Sequence, residues 1–492
     1  MTEHLEPTEE IALEAVKSRA ARGVLVLTGR TFILNVIVLI AQGFLWVFLT
    51  PEQFGTFWLV SAVVNFLIYF SDVGLAAALI QKRDKPRDED YWTTFTVQQS
   101  LVILLLVILA LLSPFFEKTY GLTTEGRYLL YALGFSFFLS SLKSIPSVRL
   151  ERKLEFGRLV IPQVLETLVY NIAVVFLAWK GMGITAFTYA VVARGVVGVV
   201  AIYFLSPWKP KITISRGSLK ELLKFGVPYQ ANTLLAVIKD DGMTILLGWV
   251  LGPVGVGILG TAQRLSQYPL RFFMDNVTKV TFPAFARLQH DKDQLAKAVT
   301  KSVFFITFFV FPSTIGLVVL SPVLVSVIPK YEKWAPALIP LALLSINTIM
   351  AGVTTQLTNL FNAIGKIKIT FGLMVMWTTL TLMLVPFLAS SYGPTGAALG
   401  YALVGTSSLV AIYISKRHVG YSVWDGAGKT FLAAFLMGIV VWFARGFLPI
   451  SLLSMFLLIF LGSIVYLSLI FVLYGAKIIV DVKKGVAMIL GK

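Results

Sequence analysis

Residues 241–271 read DGMTILLGWVLGPVGVGILGTAQRLSQYPLR, and this stretch decides the fold class. Two apolar runs flank a turn at Leu251-Gly252-Pro253. A helix needs about 20 mainly apolar residues to cross a bilayer. Each run reaches that length when the residues beyond the quoted stretch are included. A β-barrel strand would instead be about ten residues long with alternating polarity. The stretch therefore predicts two membrane-spanning helices joined by a tight turn.

The remaining sequence has the same apolar character. Hydrophobic residues make up 57% of the 492 residues, charged residues make up only 14%, and the mean hydropathy is +0.82. That composition excludes a soluble globular protein of this length. We therefore expect an all-α, polytopic membrane protein. Its apolar runs predict about fourteen spans, near residues 24–48, 54–78, 93–112, 128–146, 159–179, 184–205, 224–250, 255–282, 302–328, 335–361, 367–389, 394–414, 430–447 and 450–474.

The net charge of +17 arises from Lys and Arg that concentrate in alternate loops between the spans. Because cytoplasmic loops are enriched in these residues, the bias predicts a multi-pass protein of the plasma (cytoplasmic or inner) membrane with both termini cytosolic. The cations lie between apolar runs rather than on one soluble face, which argues against a nucleic-acid partner. The chain has no Cys, and its three His do not cluster, so neither a metal site nor a catalytic group is expected.

A short motif occurs twice, since Leu49-Thr50-Pro51 is matched by Leu251-Gly252-Pro253. Ala201-Ile202-Tyr203 is matched by Ala411-Ile412-Tyr413 in the same way. Equivalent places in two blocks of six spans favour two six-helix lobes followed by an added helix pair. The predicted segments are a cytosolic N-terminal leader (1–23), an N-lobe with the first six spans (24–206), a cytosolic linker (207–223), a C-lobe with the next six (224–415), the added pair (428–475) and a cytosolic tail (476–492).

Charged side chains inside the spans are the candidates for function, because an ionisable group at the bilayer centre costs roughly 2.5–3.5 kcal/mol on insertion scales. Arg194 and Arg264 lie near the middle of the sixth and eighth spans, too deep to reach headgroups, and we expect both to face a polar interior. Lys143 lies within a turn of a span edge and is interpreted as snorkelling, without a function. Arg30 lies at an intermediate depth, so an interior position and snorkelling both stay open for it. Buried Arg suits an anionic cargo, because guanidinium groups match phosphate oxygens.

The eighth span places polar side chains on one helical face, namely Arg264, Tyr268, Arg271 and Asp275. Pro269 removes a backbone donor from this span and predicts a kink. Arg264 and Arg271 are candidates for contacting an anion, and Asp275 is a candidate for ion coupling. The alternative is an Arg271–Asp275 pair that only stabilises the helix, which leaves Arg264 unexplained.

The seventh span contains three adjacent charges, Lys239, Asp240 and Asp241. They either neutralise a neighbouring cation, Arg194 or Arg264, or supply a carboxylate that couples transport to a proton or sodium gradient. Glu166 in the fifth span is a weaker candidate for the coupling role. Beyond a coupling ion, no cofactor and no metal are expected. The predicted polar lining is completed by Asn35, Gln42, Asn232 and Tyr268.

Four stretches resemble the polysaccharide-type (Wzx-like) flippases of the multidrug/oligosaccharidyl-lipid/polysaccharide exporter superfamily. They are Asp241 through LLGWVLGPVGVGILGTAQRLSQYPLRFF, SDVGLAAALIQKRD at 71–84, FPAFARLQHD at 282–291 and KWAP at 333–336. The resemblance implies a MATE-like fold of two lobes that alternate access. It also implies transport of undecaprenyl-diphosphate-linked oligosaccharide, or a comparable polyprenyl-linked sugar, to the outer leaflet for O-antigen, capsule or exopolysaccharide synthesis.

The resemblance further implies roles for the cations. Arg264 lies in the matching motif and is the first candidate for contacting the lipid diphosphate, followed by Arg30, Arg194, Lys239 and Arg271. Many relatives have Arg or Asn before a single Asp where this chain has a Lys-Asp-Asp triplet. The implied partners are polyprenyl-diphosphate-linked oligosaccharide, membrane lipids and other polysaccharide assembly proteins.

Three alternatives stay open at this point. A drug or cation antiporter of the same superfamily would need an acidic pocket, whereas the candidates here are mostly cationic. A peptidoglycan-precursor flippase carries the same diphosphate lipid. From another class, a membrane glycosyltransferase or polysaccharide polymerase would need a sizeable outward loop or an acidic metal-binding loop, and the sequence contains neither.

Overall fold

The computed structural model describes residues 13–82 and 84–475, with side chains except at 13–29, 32, 231–233, 235–236, 239, 275–276 and 279. Within these described residues all regular secondary structure is helical and no strand occurs, which confirms the all-α prediction. The chain divides into two compact units between Val256 and Gly257.

The first unit consists of helices that pack side by side. Its helices are α1 (Leu13–Phe48), α2 (Pro51–Ile68), α3 (Leu75–Gln81), α4 (Asp88–Tyr120), α5 (Thr124–Leu142), α6 (Ser144–Arg152), α7 (Phe156–Trp179), α8 (Thr185–Leu205) and α9 (Arg216–Val237). A π-helical turn at Ile238–Gly242 leads into α10 (Met243–Leu288), which continues into the second unit. Helix α7 packs along α8 and α1, and α8 also packs along α5.

The second unit is organised around α11, which packs against α12, α15 and α16. Its helices after α10 are α11 (Lys292–Val327), α12 (Leu338–Ala363), α13 (Ile367–Thr406), α14 (Leu409–His418), α15 (Lys429–Ala444) and α16 (Leu452–Tyr474). The buried side chains of α11 include Val299, Val303 and Val310. The predicted added pair corresponds to α15 and α16. Gly438 of α15 lies against Ile315, where small residues allow close helix packing in membranes.

The repeated motif marks two tight turns. Helix α1 ends before Thr50, whose hydroxyl accepts a hydrogen bond from the Gln53 N–H at 3.3 Å, while the Gln53 side chain accepts one from the Thr50 N–H at 2.9 Å. This capping box, with Pro51 in the first turn, starts α2. In the second copy, Gly252 interrupts α10 with φ 64° and ψ 178°, a backbone that favours glycine, and Pro253 follows. Both predicted turns are confirmed.

Ten helical ranges of the described chain are long and apolar enough to cross a membrane. Two of them, Asp240–Met274 and Ile367–His418, contain a glycine that interrupts the helix, Gly252 in the first and Gly393 in the second. Several helices are longer than the predicted spans. Helix α4 has 33 residues and an acidic first turn, whereas its predicted span starts at residue 93. Hydropathy detects the bilayer-length part of such a helix and misses its polar end.

The predicted seventh span, 224–250, is helical throughout, but it contains a π-helical turn that the prediction does not include. Helix α9 ends at Val237, and the Lys-Asp-Asp triplet lies in the π-helical turn before α10 begins. A π-helical turn is rare and is found frequently at functional sites. The charges therefore coincide with a local change in backbone hydrogen bonding that apolar periodicity does not reveal.

Candidate functional site

A cavity of about 380 Å³ lies among the helices of the first unit. Its polar lining comes from α1, α7, α8 and the junction of α5 with α6, and consists of Arg30, Lys143, Ser147, Gln163, Glu166, Thr167 and Arg194. These residues are far apart in sequence and come together because α7 packs against both α1 and α8. The cavity thus collects polar groups from four separate parts of the chain.

Glu166 is the centre of a charge cluster in this cavity. The residue is only 7% exposed, Lys143 Nζ donates a hydrogen bond to its Oε1 at 2.6 Å, and Arg194 Nε lies 3.6 Å from its Oε2. A buried carboxylate is tolerated in apolar surroundings when it is paired. Two cations meet that requirement here, one through a short hydrogen bond and the other through a looser ion pair.

The two arginines approach the cavity from different helices. Arg30 Nη1 donates a hydrogen bond to Gln163 Oε1 at 2.6 Å, and its Nε is buried with no hydrogen-bond partner among the described residues. The Arg194 guanidinium lies 5.9 Å from the centroid of the Tyr170 ring. Of the two interpretations of Arg30, the structure therefore supports the one in which it faces the interior of its unit.

The charges that line the cavity do not balance. They are three cations, Arg30, Lys143 and Arg194, and one carboxylate, Glu166, which leaves a surplus of two positive charges. In surroundings of low dielectric constant, such a surplus attracts an anion more strongly than it would in bulk water. Arg is suited to bind phosphate or carboxylate oxygens through two parallel N–H donors. The first unit is therefore equipped to hold an anionic group.

The surroundings of Lys143 contradict the snorkelling that its depth in the span predicts. A side chain so close to the end of its span can reach headgroups, yet here it is 15% exposed and its ammonium binds Glu166. The snorkelling interpretation of Lys143 is wrong. The signal that points to it is Glu166 itself, because a carboxylate inside an apolar run needs a cation. Gln163, one turn before Glu166 on α7, is a second lining residue that sequence reasoning misses.

The charged triplet makes contacts separate from this cluster. Asp241 is partly buried and accepts a hydrogen bond from the Asn65 side chain of α2, and Asp240 is exposed. Of the two cations considered as neutralising partners, Arg194 lies instead against Glu166. Two further predicted site residues, Lys239 and Asn232, have side chains outside the described residues.

In the second unit, α10 carries the predicted polar stripe. Arg264 and Arg271 are exposed, and Tyr268, which is partly buried, interacts electrostatically with both. The helix continues through Pro269. The Asp275 side chain lies outside the described residues, so the Arg271–Asp275 pair stays a prediction.

The two predicted lining residues of α1 differ in their surroundings. Asn35 is exposed, whereas Gln42 is partly buried and its Nε2 has no hydrogen-bond partner in the described part of the chain. Neither lines the cavity around Glu166. Among the described residues, no group of three or more His, Asp or Glu is placed to hold a metal ion.

The sequence profile of the polysaccharide biosynthesis protein family matches residues 45–340. The chain belongs to this family. The match begins near the end of α1 and reaches the start of α12, so it includes α5 to α8, which supply Lys143, Glu166 and Arg194 to the cavity. The charge cluster thus lies in the part of the chain that the family profile matches.

Two relatives resemble this family member over most of its length. The lipopolysaccharide biosynthesis protein WzxC of Escherichia coli strain K12 is 23% identical over 364 residues, 74% of this chain and 73% of that protein. The succinoglycan biosynthesis transport protein ExoT of Rhizobium meliloti strain 1021 is 22% identical over 442 residues, 86% of each chain. The resemblance to Wzx-like flippases is confirmed, and the chain is a transporter rather than an enzyme.

The solved structure of the lipid II flippase MurJ, in an inward closed conformation, is similar with a TM-score of 0.73. The similarity covers 92% of this chain and 100% of that chain at 16% sequence identity, and at that identity it shows the fold alone. With its many apolar helices, this polysaccharide biosynthesis protein is a multi-pass protein of the inner membrane.

Proposed function

We propose that this transporter is a flippase that moves a polyprenyl-diphosphate-linked oligosaccharide from the cytosolic to the outer leaflet during surface polysaccharide synthesis. The observation that carries the proposal is the cationic cavity of the first unit. In it, Arg30 and Arg194 contact the diphosphate, and Lys143 adds positive charge. Family membership, and the polysaccharides named for WzxC and ExoT, support this class of cargo.

The charge of the cavity suits a diphosphate. Each phosphate of a polyprenyl-diphosphate-linked sugar carries a negative charge at neutral pH, and the cavity has a surplus of two positive charges. A guanidinium is more weakly hydrated than an ammonium and binds phosphate oxygens in pairs, so two arginines are effective partners for this group. The volume of about 380 Å³ lies within the range of roughly 300–1,000 Å³ that is typical of small-molecule sites.

Alternating access supplies the route across the bilayer. We propose about fourteen helices in two lobes, with both termini cytosolic, as the positive-inside bias predicts. The similarity to MurJ over 92% of the chain supports a related arrangement of helices. Arg264, Arg271 and Lys239 are proposed to contact the diphosphate at other stages of the cycle.

Coupling to a proton or sodium gradient is assigned to the carboxylates near the membrane interior. Asp241 is the first candidate, because it is partly buried in the π-helical turn and its described partner, Asn65, is neutral. Asp240, Glu166 and Asp275 are the further candidates. Protonation or cation binding at such a carboxylate changes the local charge and so biases a conformational equilibrium.

Two of the alternatives are disfavoured, one by the charge of the cavity and one by the relatives. A cationic drug would be repelled by the surplus positive charge around Arg30 and Arg194. A glycosyltransferase is not supported by the relative ExoT, which is named as a transport protein. A peptidoglycan-precursor flippase shares the diphosphate, and the experiment that follows distinguishes it by the sugar that accumulates.

Deletion of the gene tests the proposal directly. We expect a polyprenyl-linked oligosaccharide of the surface polysaccharide to accumulate on the cytosolic side, and the wild-type gene to restore export. Arg264→Ala and Arg194→Gln should fail to restore it while inserting normally in the membrane. Arg158→Gln is the matched control, because Arg158 is exposed and, among the described residues, forms an ion pair with Glu155 in its own helical turn. Accumulation of a peptidoglycan precursor instead would contradict the proposed cargo.

A further inference from the structure

The two cations that hold Glu166 are unequal. Lys143 Nζ is at hydrogen-bond distance, 2.6 Å, and the Lys143 and Glu166 side chains are only 15% and 9% exposed. Arg194 contributes its Nε at 3.6 Å, beyond hydrogen-bond distance, and its side chain is 52% exposed. Arg194 can therefore leave the carboxylate at low cost, whereas Lys143 retains it.

Gly198 lies one helical turn after Arg194 on α8. It determines how closely the Glu166 carboxylate approaches the backbone of this helix. A Cβ at this position would overlap Oε1 of Glu166 and lie 2.6 Å from its Cδ. The carboxylate thus rests against the α8 backbone in a space that exists only because residue 198 has no side chain. The anion position beside Arg194 is already occupied by the protein's own carboxylate.

We propose that Glu166 is a built-in competitor of the cargo diphosphate for Arg194. This inference rests on the proposed function, in which Arg194 contacts the diphosphate. While the cavity is empty, Glu166 pairs with both Lys143 and Arg194. A phosphate that enters displaces the carboxylate from Arg194, and Lys143 keeps it. When the phosphate leaves, Glu166 returns to Arg194 and offsets part of the free energy lost on separating the phosphate from the guanidinium.

Such competition addresses a requirement of every transporter, which must bind its cargo and then release it. Three cations without a counter-ion in a poorly screened cavity would hold a doubly charged group strongly, because close charge pairs in such surroundings are strongly coupled. A carboxylate that competes for one of the cations weakens binding and speeds release. By linkage, the cargo weakens the Glu166–Arg194 pair by the same factor.

The direction in which neutralisation of Glu166 changes the anion affinity distinguishes competition from a structural role. If Glu166 only organised the cavity, its neutralisation would disorder Arg194 and weaken anion binding. If it competes, its neutralisation tightens anion binding and slows turnover. Glu166→Gln is suited to this test, because the amide keeps the shape of the side chain and its oxygen can still accept the hydrogen bond of Lys143.

A glycine substitution tests the same idea without removing the charge. Gly198→Ala overlaps Oε1 of Glu166, the oxygen that accepts the hydrogen bond of Lys143, and so pushes the whole carboxylate away from α8, the helix that carries Arg194. Gly195→Ala is the matched control on the same helix. Its added methyl lies 2.8 Å from Cδ1 of Leu139 and so displaces the end of an apolar side chain instead of a carboxylate.

The experiment measures binding of farnesyl diphosphate to the purified full chain by titration calorimetry, with farnesol as the uncharged control. We expect Glu166→Gln to bind the diphosphate roughly tenfold more tightly than wild type. Gly198→Ala should also bind it more tightly, and Gly195→Ala should bind it as wild type does. In liposomes, cargo turnover by Glu166→Gln should fall although its binding improves.

Each result has a defined meaning. If wild type binds the diphosphate and Glu166→Gln binds it no more tightly, the competitor role is overturned and the proposed function stands. If Glu166→Gln does not purify as a folded protein, Gly198→Ala decides by the same criterion. If wild type binds no diphosphate, or if Arg194→Gln binds it as well as wild type, the proposed diphosphate site fails and the competitor role fails with it.

Discussion

Lys143 Nζ and Glu166 Oε1 lie 2.6 Å apart and join the junction of α5 and α6 to the middle of α7. The same pair therefore contributes to the fold of the first unit and to the charge of its cavity. Because both side chains are shielded, the stability of this unit and the charge state of the cavity depend on each other.

Lys143→Met should destabilise the protein, because it leaves Glu166 without its short hydrogen bond. Removing one partner of a buried ion pair destabilises a protein by about 3 kcal/mol at the low end of the measured range. We expect a loss near this low end, because the pair lies beside an open cavity. Thermal unfolding in detergent should show a lower Tm. The double variant Lys143→Met/Glu166→Gln should recover part of the loss, since no uncompensated carboxylate remains. A single variant as stable as wild type would show that the pair contributes nothing.

Gly74 and Gly226 allow the start of α3 to lie directly against α9. A Cβ on Gly74 would overlap the carbonyl oxygen of Gly226, and Gly74 itself has φ +73°. Gly74→Ala should therefore be destabilised twice, by a clash with the α9 backbone and by the left-handed conformation that the alanine has to adopt. Gly121→Ala is the control, because Gly121 has φ +61° and no heavy atom within 4 Å. We expect about 1 kcal/mol of destabilisation for the control and clearly more for Gly74→Ala. Equal losses of Tm would contradict the close contact.

Lys82 connects two carboxylates of very different exposure. Its Nζ lies 3.0 Å from Asp90 Oδ2 and 3.0 Å from Glu221 Oε2, with the two acidic side chains 2% and 59% exposed. Lys82→Met should lower the Tm more than Glu221→Gln, because it leaves a buried carboxylate unpaired. We expect the exposed pair with Glu221 to contribute less than about 1 kcal/mol. A larger loss for Glu221→Gln would reverse this ranking.

The pH dependence of the Lys82 contribution follows from its environment. Burial by itself would lower the pKa of Lys82, but hydrogen bonds with Glu221 and Asp90 raise it above its ordinary value. A raised pKa in the folded state means that this stabilisation is fully present below the unfolded pKa. It is lost only as the pH rises through the raised folded pKa. The difference in Tm between wild type and Lys82→Met should thus be constant across neutral pH and shrink in strong alkali.

The coupling proposal predicts a specific loss in the π-helical turn. Transport by the double variant Asp240→Asn/Asp241→Asn should no longer respond to an imposed proton or sodium gradient, because its carboxylates can neither titrate nor bind a cation. Asp293→Asn, on the exposed first turn of α11, is the control. Uptake of labelled cargo in liposomes with and without each gradient provides the measurement. An unchanged gradient response in the double variant would remove both residues from the coupling role.

Part of the fold could be predicted because its determinants are local. The tight turns at Leu49-Thr50-Pro51 and Leu251-Gly252-Pro253 depend on a cap, a proline and a glycine, which are visible in a few adjacent residues. The membrane assignment likewise depends on composition within each run. The π-helical turn after Val237 could not be predicted, since the apolar run around the triplet is typical of a continuous helix.

The site could be predicted only in part, because its residues come together through packing. Arg194 is identifiable from its depth in one span, which is a property of that span alone. The roles of Lys143 and Gln163 depend on which helices lie beside α7, and depth in a single span carries no such information. The resemblance to Wzx-like flippases indicates the family correctly and suggests Arg264, Arg30 and Arg194 as diphosphate contacts, but it assigns no role to Lys143 or Gln163.

Flipping of a polyprenyl-diphosphate-linked oligosaccharide by purified protein in liposomes tests the cationic cavity most directly. Arg194→Gln should flip this cargo roughly thirtyfold more slowly than wild type, because a charged contact to the diphosphate is lost. Arg158→Gln should flip it at the wild-type rate. A folded Arg194→Gln protein that flips the cargo as fast as wild type would contradict the assignment of the diphosphate to this cavity.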